Sequence, residues 1–105
     1  MMTARWITVV LLFSRELGTR VRRTRLRFKP RWWTKMWFIK KVVEDRTGLD
    51  TAIFFLEAFD NGRWRHAGQC EKVFSWMRAP TPGSLLIRVQ KKVTPLGYYA
   101  QRGRL

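Results

Sequence analysis

The sequence is poor in the side chains that build metal and redox centres. Its 105 residues include one cysteine, Cys70, and one histidine, His66. A single cysteine cannot form an internal disulfide, and these two residues cannot supply the four ligands of a structural zinc site. Neither residue lies in a pattern typical of a nucleophile and its base. The sequence therefore predicts a protein without metal or cofactor, and a binding function rather than an enzyme.

Acidic residues are also scarce. Seven Asp and Glu stand against 22 Lys and Arg, which gives a net charge of +15. A small free monomer with this charge repels itself, and a polyanion would relieve the repulsion. Nucleic acid fits best, because each neutralised phosphate releases counterions and arginine forms bidentate contacts with phosphate. An anionic membrane surface is the competing polyanion.

Long apolar runs are missing as well. The run from Ile7 to Phe13 is seven residues long, and a helix needs about 20 apolar residues to cross a bilayer. We therefore predict no transmembrane segment. Residues 1–24 are basic, with Glu16 as their one acid. This composition is typical of a mitochondrial targeting sequence, and a basic extension that packs on a neighbouring molecule is the alternative.

The charge is concentrated at the two ends of the chain. Residues 1–41 hold 12 basic residues and one acidic residue, residues 42–77 hold four and six, and residues 78–105 hold six and none. We interpret the centre as the folded part and the flanks as segments that lie on a polyanion. The predicted organisation is a basic extension over 1–24, one domain over 25–97 and a basic tail over 98–105.

Several segments have the alternation or composition of strands. Residues 20–28 alternate charged and apolar side chains, which predicts a strand whose outer face is a row of arginines. Residues 36–43 and 51–59 are apolar and predict two more strands. Asn61-Gly62 predicts a hairpin turn, with a returning strand over 63–66.

The C-terminal third predicts helices. Apolar residues cluster on one helical face over residues 70–78, where Val73, Phe74 and Trp76 are core candidates. A second helix is predicted from Pro82 or Ser84 to about Lys92. The predicted fold class is α+β: a small mixed or antiparallel β-sheet packed with two short C-terminal helices, with basic N- and C-terminal extensions.

Four blocks occur in an order that a known family shares. They are Arg25-Leu26-Arg27, Phe38-Ile39-Lys40-Lys41-Val42-Val43-Glu44-Asp45-Arg46, Leu56-Glu57-Ala58-Phe59-Asp60-Asn61, and Glu71 to Met77 followed by Ala79-Pro80-Thr81-Pro82 and Leu85 to Val89. In this order they resemble ribosomal protein sixteen of the bacterial-type small subunit, including its mitochondrial members. The sequence departs from the family at Glu57, where a glycine is usual, and at Asn61, where a proline is usual.

The resemblance implies a structural constituent of the small ribosomal subunit that binds and stabilises small-subunit rRNA in assembly and translation. It implies location in the mitochondrial matrix, contacts with neighbouring ribosomal proteins, and no small-molecule substrate. Trp32 or Trp33 would stack on an unpaired base or pack against protein. The candidate rRNA-binding residues are Arg20, Arg22, Arg23, Arg25, Arg27, Lys29, Arg31, Trp32, Trp33, Lys35, Lys40, Arg46, Arg78, Arg88, Arg102 and Arg104.

Two other functions stay open. One is an accessory subunit of a mitochondrial membrane complex, with residues 6–28 lying on an anionic lipid surface. The other is a free nucleic-acid-binding module. The acidic group Glu44, Asp45 and Asp50 could suggest a magnesium-dependent nuclease, but turn solvation and ion pairing with Arg46 explain it more simply.

Overall fold

A computed structural model describes residues 6–77 and 84–92. The predicted contacts Arg78, Arg102 and Arg104 and the predicted tail over 98–105 lie outside these ranges. In chain order the strands and the α-helix are β1 (Ile7–Phe13), β2 (Arg23–Phe28), α1 (Met36–Thr47), β3 (Phe54–Asp60), β4 (Arg63–Ala67) and β5 (Ser84–Lys91). Within the two described ranges, three short 3-10 helices lie at Arg15–Leu17, Thr51–Ile53 and Val73–Trp76. None of the helices in the described ranges combines the length and the apolar composition needed to cross a bilayer.

The five strands form one mixed sheet in the order β2-β1-β5-β3-β4. β1 and β5 are parallel neighbours at its centre, with Val9 opposite Leu85. The remaining pairs, β1 with β2, β3 with β4 and β3 with β5, are antiparallel. With α1 between the second and third strands, this is the topology of a β-grasp fold. Such a fold can carry many unrelated functions, so the function must be argued from the surface.

The core lies between α1 and one face of the sheet. Every second residue of β1 is buried, from Ile7 to Phe13, and Leu85, Ile87 and Val89 repeat this pattern on β5. Met36, Ile39 and Val43 of α1 are fully buried in the same cluster. Their spacing of three and four residues places them on one side of the helix. Removal of these side chains from water is the main contribution to folding.

β1 corrects the predicted architecture at the N-terminus. Residues 7–13, which we expected in a basic extension outside the fold, pair with β2 on one side and β5 on the other. Because β1 is central, the residues between its buried positions are also partly covered. Strands that are covered on both faces have nearly continuous apolar sequences. The apolar run within residues 1–24 is therefore an inner strand of the sheet.

The prediction of a strand over 36–43 is wrong, because these residues begin α1. Met36, Ile39, Lys40 and Val43 are its buried positions. Residues 44–47, between the two predicted strands, form the last turn of this helix. Gly48 ends it with φ 75° and donates its amide to the Glu44 carbonyl at 2.8 Å. Glycine is favoured at this position because it has no Cβ to oppose positive φ.

Both predicted C-terminal helices are also wrong. Over the described part of residues 70–78 the structure has one 3-10 turn, in which Val73 is buried and Trp76 packs on the edge of the core. The second predicted helix is β5, because the periodicity of its apolar residues is two and both of its edges are paired. The strand predictions around β2 and β3 are confirmed in their central residues, and so is the hairpin, where Asn61 and Gly62 have φ 52° and 80°.

The segment before the last 3-10 turn caps α1. Met36 and Trp37 donate their amides to the carbonyls of Glu71 and Gln69 at 2.8 and 3.0 Å. The amides of the first helical turn have no partner within the helix, and the N-cap residue Lys35 makes no side-chain hydrogen bond to them. The start of α1 is thus fixed by a distant part of the chain.

Candidate nucleic-acid interface

The sheet face opposite α1, here called the outer face, carries a row of arginines. Arg23, Arg25 and Arg27 alternate with core-facing residues along β2 and are exposed. Alternate residues of a strand are about 7 Å apart, so three guanidiniums follow one edge of the sheet at regular intervals. Their partners across β1 are uncharged. None of the ion pairs within residues 6–77 and 84–92 includes them. We call these three residues the arginine row.

Trp6 continues the arginine row with an aromatic surface. The register of β1 and β2, with Ile7 opposite Phe28, brings Trp6 beside the end of β2. The Arg27 guanidinium carbon lies 5.3 Å from the centre of the indole, and Lys29 Nζ lies 5.2 Å from it. The side chain is still 53% exposed. One large π-surface therefore lies within cation–π distance of two cations and is still half-exposed to solvent.

The loop after β2 adds a second group of aromatic and basic side chains. Trp32 and Trp33 are 61% and 51% exposed, and their rings meet edge to face at 5.5 Å. Arg31 lies 5.3 Å from the Trp33 ring centre, and Lys72 Nζ lies 4.8 Å from that of Trp32. Neither tryptophan belongs to the core. Both are therefore available for stacking, which the sequence could not decide.

This loop has a defined conformation. The Arg31 amide donates to the Thr34 hydroxyl, and the Thr34 amide donates to the Arg31 carbonyl, both at 2.9 Å. Val73 donates its amide to the Thr34 carbonyl at 2.8 Å, which ties the loop to the segment that caps α1. We call the surface formed by Trp6, Lys29, Arg31, Trp32, Trp33 and Lys72 the basic aromatic cluster. Its order in the free protein would lower the entropic cost of binding.

Arg88 differs from the arginine row because its charge is neutralised. Its guanidinium donates to one oxygen of Glu57 at 2.8 and 3.0 Å and lies 4.5 Å from the Trp64 ring centre. Burial alone would raise the pKa of Glu57, but hydrogen bonds from Arg88 and Gln90 outweigh it, so the net shift is downward. The structure places Arg88 in an ion pair between β3 and β5, and its predicted contact with phosphate stays a prediction.

Two other predicted contacts have structural roles. Lys40 is buried beneath the Phe54 ring, and burial followed by the positive charge of Lys92 lowers its pKa. Arg46 donates to the Arg25 carbonyl at 3.2 Å and to Thr24 Oγ1 at 3.4 Å, which holds the end of α1 against β2. Arg20, Arg22 and Lys35 are exposed, the first two just before β2.

The sequence did not single out Trp6 or Lys72. Trp6 precedes a run that does not alternate between polar and apolar residues, so the sequence could not show which face of the sheet Trp6 lies on. Lys72 reaches Trp32 because residues 35 and 72 form an isolated antiparallel bridge, which no local pattern reveals. Trp6 could have been found from the strand pairing. If β1 is paired with β2, Trp6 comes next to the row Arg25, Arg27 and Lys29.

The acidic group forms local contacts. Glu44 pairs with Lys41 at 2.7 Å, not with Arg46, and the hydrogen bond from Lys41 lowers the pKa of Glu44. Asp50 accepts a hydrogen bond from the Ala52 amide at 2.9 Å. Over 6–77 and 84–92, no three His, Cys, Asp or Glu side chains are grouped in a way that could hold a metal ion.

Two of the four blocks that resemble the ribosomal family have a different secondary structure here. The family's central strand corresponds to α1, and its second apolar helix corresponds to β5. The first and third blocks lie in strands, as the resemblance implies. No family model matches the chain, and no curated protein matches it.

Proposed function

We propose that this protein binds single-stranded RNA and does not catalyse a reaction. The observation that carries the proposal is the exposed Trp6 ring between Arg27 and Lys29, in line with the arginine row. Proteins that bind single strands combine a basic track for the phosphates with aromatic side chains on which bases stack. The arginine row supplies the track, and the basic aromatic cluster supplies the stacking surfaces.

The geometry favours a single strand over duplex DNA. Proteins often read duplex DNA by placing a helix in the major groove. The one α-helix in the described part of the chain buries Met36, Ile39, Lys40 and Val43, and Glu44 and Asp45 add negative charge near its end. A sheet face with open aromatic rings is better suited to unstacked bases.

The structure gives less support to a lipid surface. A membrane-bound segment over 6–28 would insert the apolar side of an amphipathic helix. Residues 7–13 and 23–28 are instead strands, and Ile7, Val9 and Leu11 are buried in the core. These side chains are not free to enter a bilayer.

The narrower proposal is a structural role in the mitochondrial small ribosomal subunit, with rRNA and neighbouring ribosomal proteins as partners. It is supported by the charge of +15 on 105 residues and by the order of the resembling blocks. Exposed tryptophans beside cations suit contacts with both rRNA and protein. Its support is weaker than that of RNA binding, because two of the blocks differ in secondary structure.

A matched pair of charge reversals tests RNA binding. The double variant Arg25→Glu, Arg27→Glu changes two members of the arginine row. The double variant Arg15→Glu, Arg63→Glu changes two other exposed arginines by the same charge. With a labelled unstructured RNA in a filter-binding assay, we expect the first variant to lose about tenfold or more in affinity and the second much less. Equal losses would show that binding follows total charge and would overturn the proposed surface.

The ribosomal setting is tested in a lysate gradient. The tagged full chain should sediment with the small subunit and should leave that position after nuclease digestion. Sedimentation with detergent micelles would instead support the membrane alternative. A nuclease-sensitive position away from the small subunit would leave RNA binding intact and contradict the ribosomal role.

A further inference from the structure

A cavity of about 380 Å³ lies where β4 ends. The last pair between β3 and β4 joins Leu56 and Ala67, and β3 continues beyond it through Phe55 and Phe54. The edge of β3 is therefore not covered by β4 there. Lys40, Phe55, His66, Gln69 and Lys92 are among the residues that line the space. Its volume is in the range of small-molecule sites.

Lys40 is an unusual residue for such a place. It is 6% exposed, and it is the one charged residue in the described ranges that is buried. Its Nζ lies 5.1 Å from the Phe54 ring centre. None of the ion pairs or side-chain hydrogen bonds in 6–77 and 84–92 uses it. Most of the Lys40 side chain is removed from water, and the described part of the structure offers its ammonium group no counter-ion, an arrangement that costs free energy.

The ammonium group reaches the cavity. In the described part of the chain, no side-chain nitrogen or oxygen is both sealed from solvent and without a hydrogen-bond partner. Lys40 has no such partner among residues 6–77 and 84–92, so within these residues its Nζ retains some access to solvent. The residue lines this cavity and an adjoining one of about 420 Å³. The openings next to Lys40 are therefore its route to solvent.

The surroundings of Lys40 favour an anion. Lys92 lines the same cavity, and its charge adds to burial in lowering the pKa of Lys40. Among the described residues, no Asp or Glu lines either cavity. An anion that bound between the two lysines would relieve their repulsion and would stabilise the charged form of Lys40. The Gln69 amide adds a neutral donor to the same wall.

The cavity also has an aromatic side. The rings of Phe55 and His66 are 5.6 Å apart and tilted by 35°. They flank the space that Lys40 and Lys92 supply with positive charge. A planar group could pack on these rings while an attached anion reached the lysines. A phosphate carried by a nucleotide combines these two features.

We propose that this cavity binds a phosphate monoester of a nucleotide, with Lys40 and Lys92 holding the phosphate and Phe55 and His66 lying beside the base. A free nucleotide and the 5′ end of an RNA strand both present this chemistry. None of the arginine row lines this cavity. Nucleotide binding here and RNA binding by the arginine row can therefore be tested independently.

Calorimetry with the full chain tests the site, with adenosine 5′-monophosphate and adenosine as probes. We expect the monophosphate to bind about tenfold or more tightly than adenosine. Lys40→Met keeps the length of the side chain and should remove this preference. Lys41→Met is the matched control, because Lys41 lies in neither cavity lining and pairs with Glu44. Equal binding of the two probes, or equal behaviour of the two variants, would overturn the proposal.

Two further measurements complete the test. If Lys40→Met fails to fold, Lys92→Met, at the exposed residue that follows β5, takes its place and should also weaken monophosphate binding. Two RNAs of one sequence, with and without a 5′ phosphate, distinguish the source of the ligand. A preference for the phosphorylated RNA that Lys40→Met abolishes identifies the strand end. Equal binding of both RNAs, with intact monophosphate binding, identifies the free nucleotide.

Discussion

Arg88 and Glu57 join β5 to β3 through two hydrogen bonds to a single carboxylate oxygen, at 2.8 and 3.0 Å. Gln90 donates to the same oxygen at 3.1 Å. Glu57 lies on the outer face, so this pair reduces positive charge on the β3 side of the sheet, whereas the arginines of β2 have no such ion pair among the described residues. The cationic surface is thereby concentrated on β2 and the loop that follows it.

The Glu57 pair makes stability depend on acidity. The pKa of Glu57 is below its ordinary value of 4.5 in the folded protein, so its stabilising contribution is present above that value and is lost as the pH falls through the folded pKa. We expect Glu57→Gln to lower the free energy of unfolding by about 1 kcal/mol at pH 7, because the pair is partly exposed. Urea titrations should show a smaller difference at pH 3. A difference that is constant with pH would contradict this role.

The arginine row should determine part of the salt dependence of RNA binding. Each phosphate contact with a single strand contributes about −0.7 to the slope of log affinity against log salt concentration. The double variant Arg25→Gln, Arg27→Gln should therefore reduce the magnitude of the slope by about 1.4. Arg15→Gln, Arg63→Gln serves as the control and should leave the slope near that of the unmodified protein. An unchanged slope in the first variant would remove these arginines from the phosphate contacts.

Trp6 should contribute stacking rather than charge. Loss of one base–aromatic contact costs about 1–3 kcal/mol of binding free energy. We expect Trp6→Ala to weaken RNA binding by this amount with no change in the salt slope, and Trp6→Phe to restore part of it. Val21→Ala removes another half-exposed apolar side chain and should have little effect. If Trp6→Ala changed the salt slope but not the affinity at low salt, stacking would be the wrong explanation.

The central position of β1 predicts a large loss of stability on truncation. Leu11 is completely buried, and Leu→Ala in a core costs about 2–5 kcal/mol. Leu11→Ala should lose that amount in urea unfolding of the purified protein. Val21→Ala, at an exposed position, should change the free energy of unfolding by less than about 0.5 kcal/mol. Similar values for the two variants would mean that β1 does not belong to the core.

The elements that we predicted correctly have local signals. β2 alternates arginine with core-facing residues, and the β3–β4 hairpin depends on Asn61-Gly62, whose backbone requires positive φ at both residues. The arginine row could be read from that alternation before any tertiary contact was known. These features depend on neighbours in the sequence, which is why the sequence revealed them.

The wrong predictions concern apolar segments whose period is ambiguous. Residues 36–43 and 84–91 both contain runs of adjacent apolar residues, so a strand and a buried helix fit each of them. Tertiary pairing decides between them: β5 lies between β1 and β3, whereas α1 crosses the sheet face. Pro82 and Ser84 suggested the start of a helix, but Ser84 is the first residue of β5, where strand pairing outweighed that preference.

The candidate site was only partly accessible to sequence reasoning. Lys29, Arg31, Trp32 and Trp33 were named from composition, but their meeting with Trp6 and Lys72 depends on strand register and on a bridge between distant segments. Lys40 was expected on the surface, because lysine is rarely buried. Lys40 is buried because it lies on the side of α1 that faces the core. The prediction of a strand over these residues did not indicate that side.

The parallel pairing of β1 with β5 affects how the chain folds as it is synthesised. The two central strands are the first and the last of the described sheet, so the middle of the sheet stays incomplete until β5 has left the ribosomal exit tunnel. Until then β1 exposes apolar side chains and an unpaired edge, a condition that promotes aggregation. Nascent chains stalled before Ser84 should therefore remain protease-sensitive and should depend on chaperones.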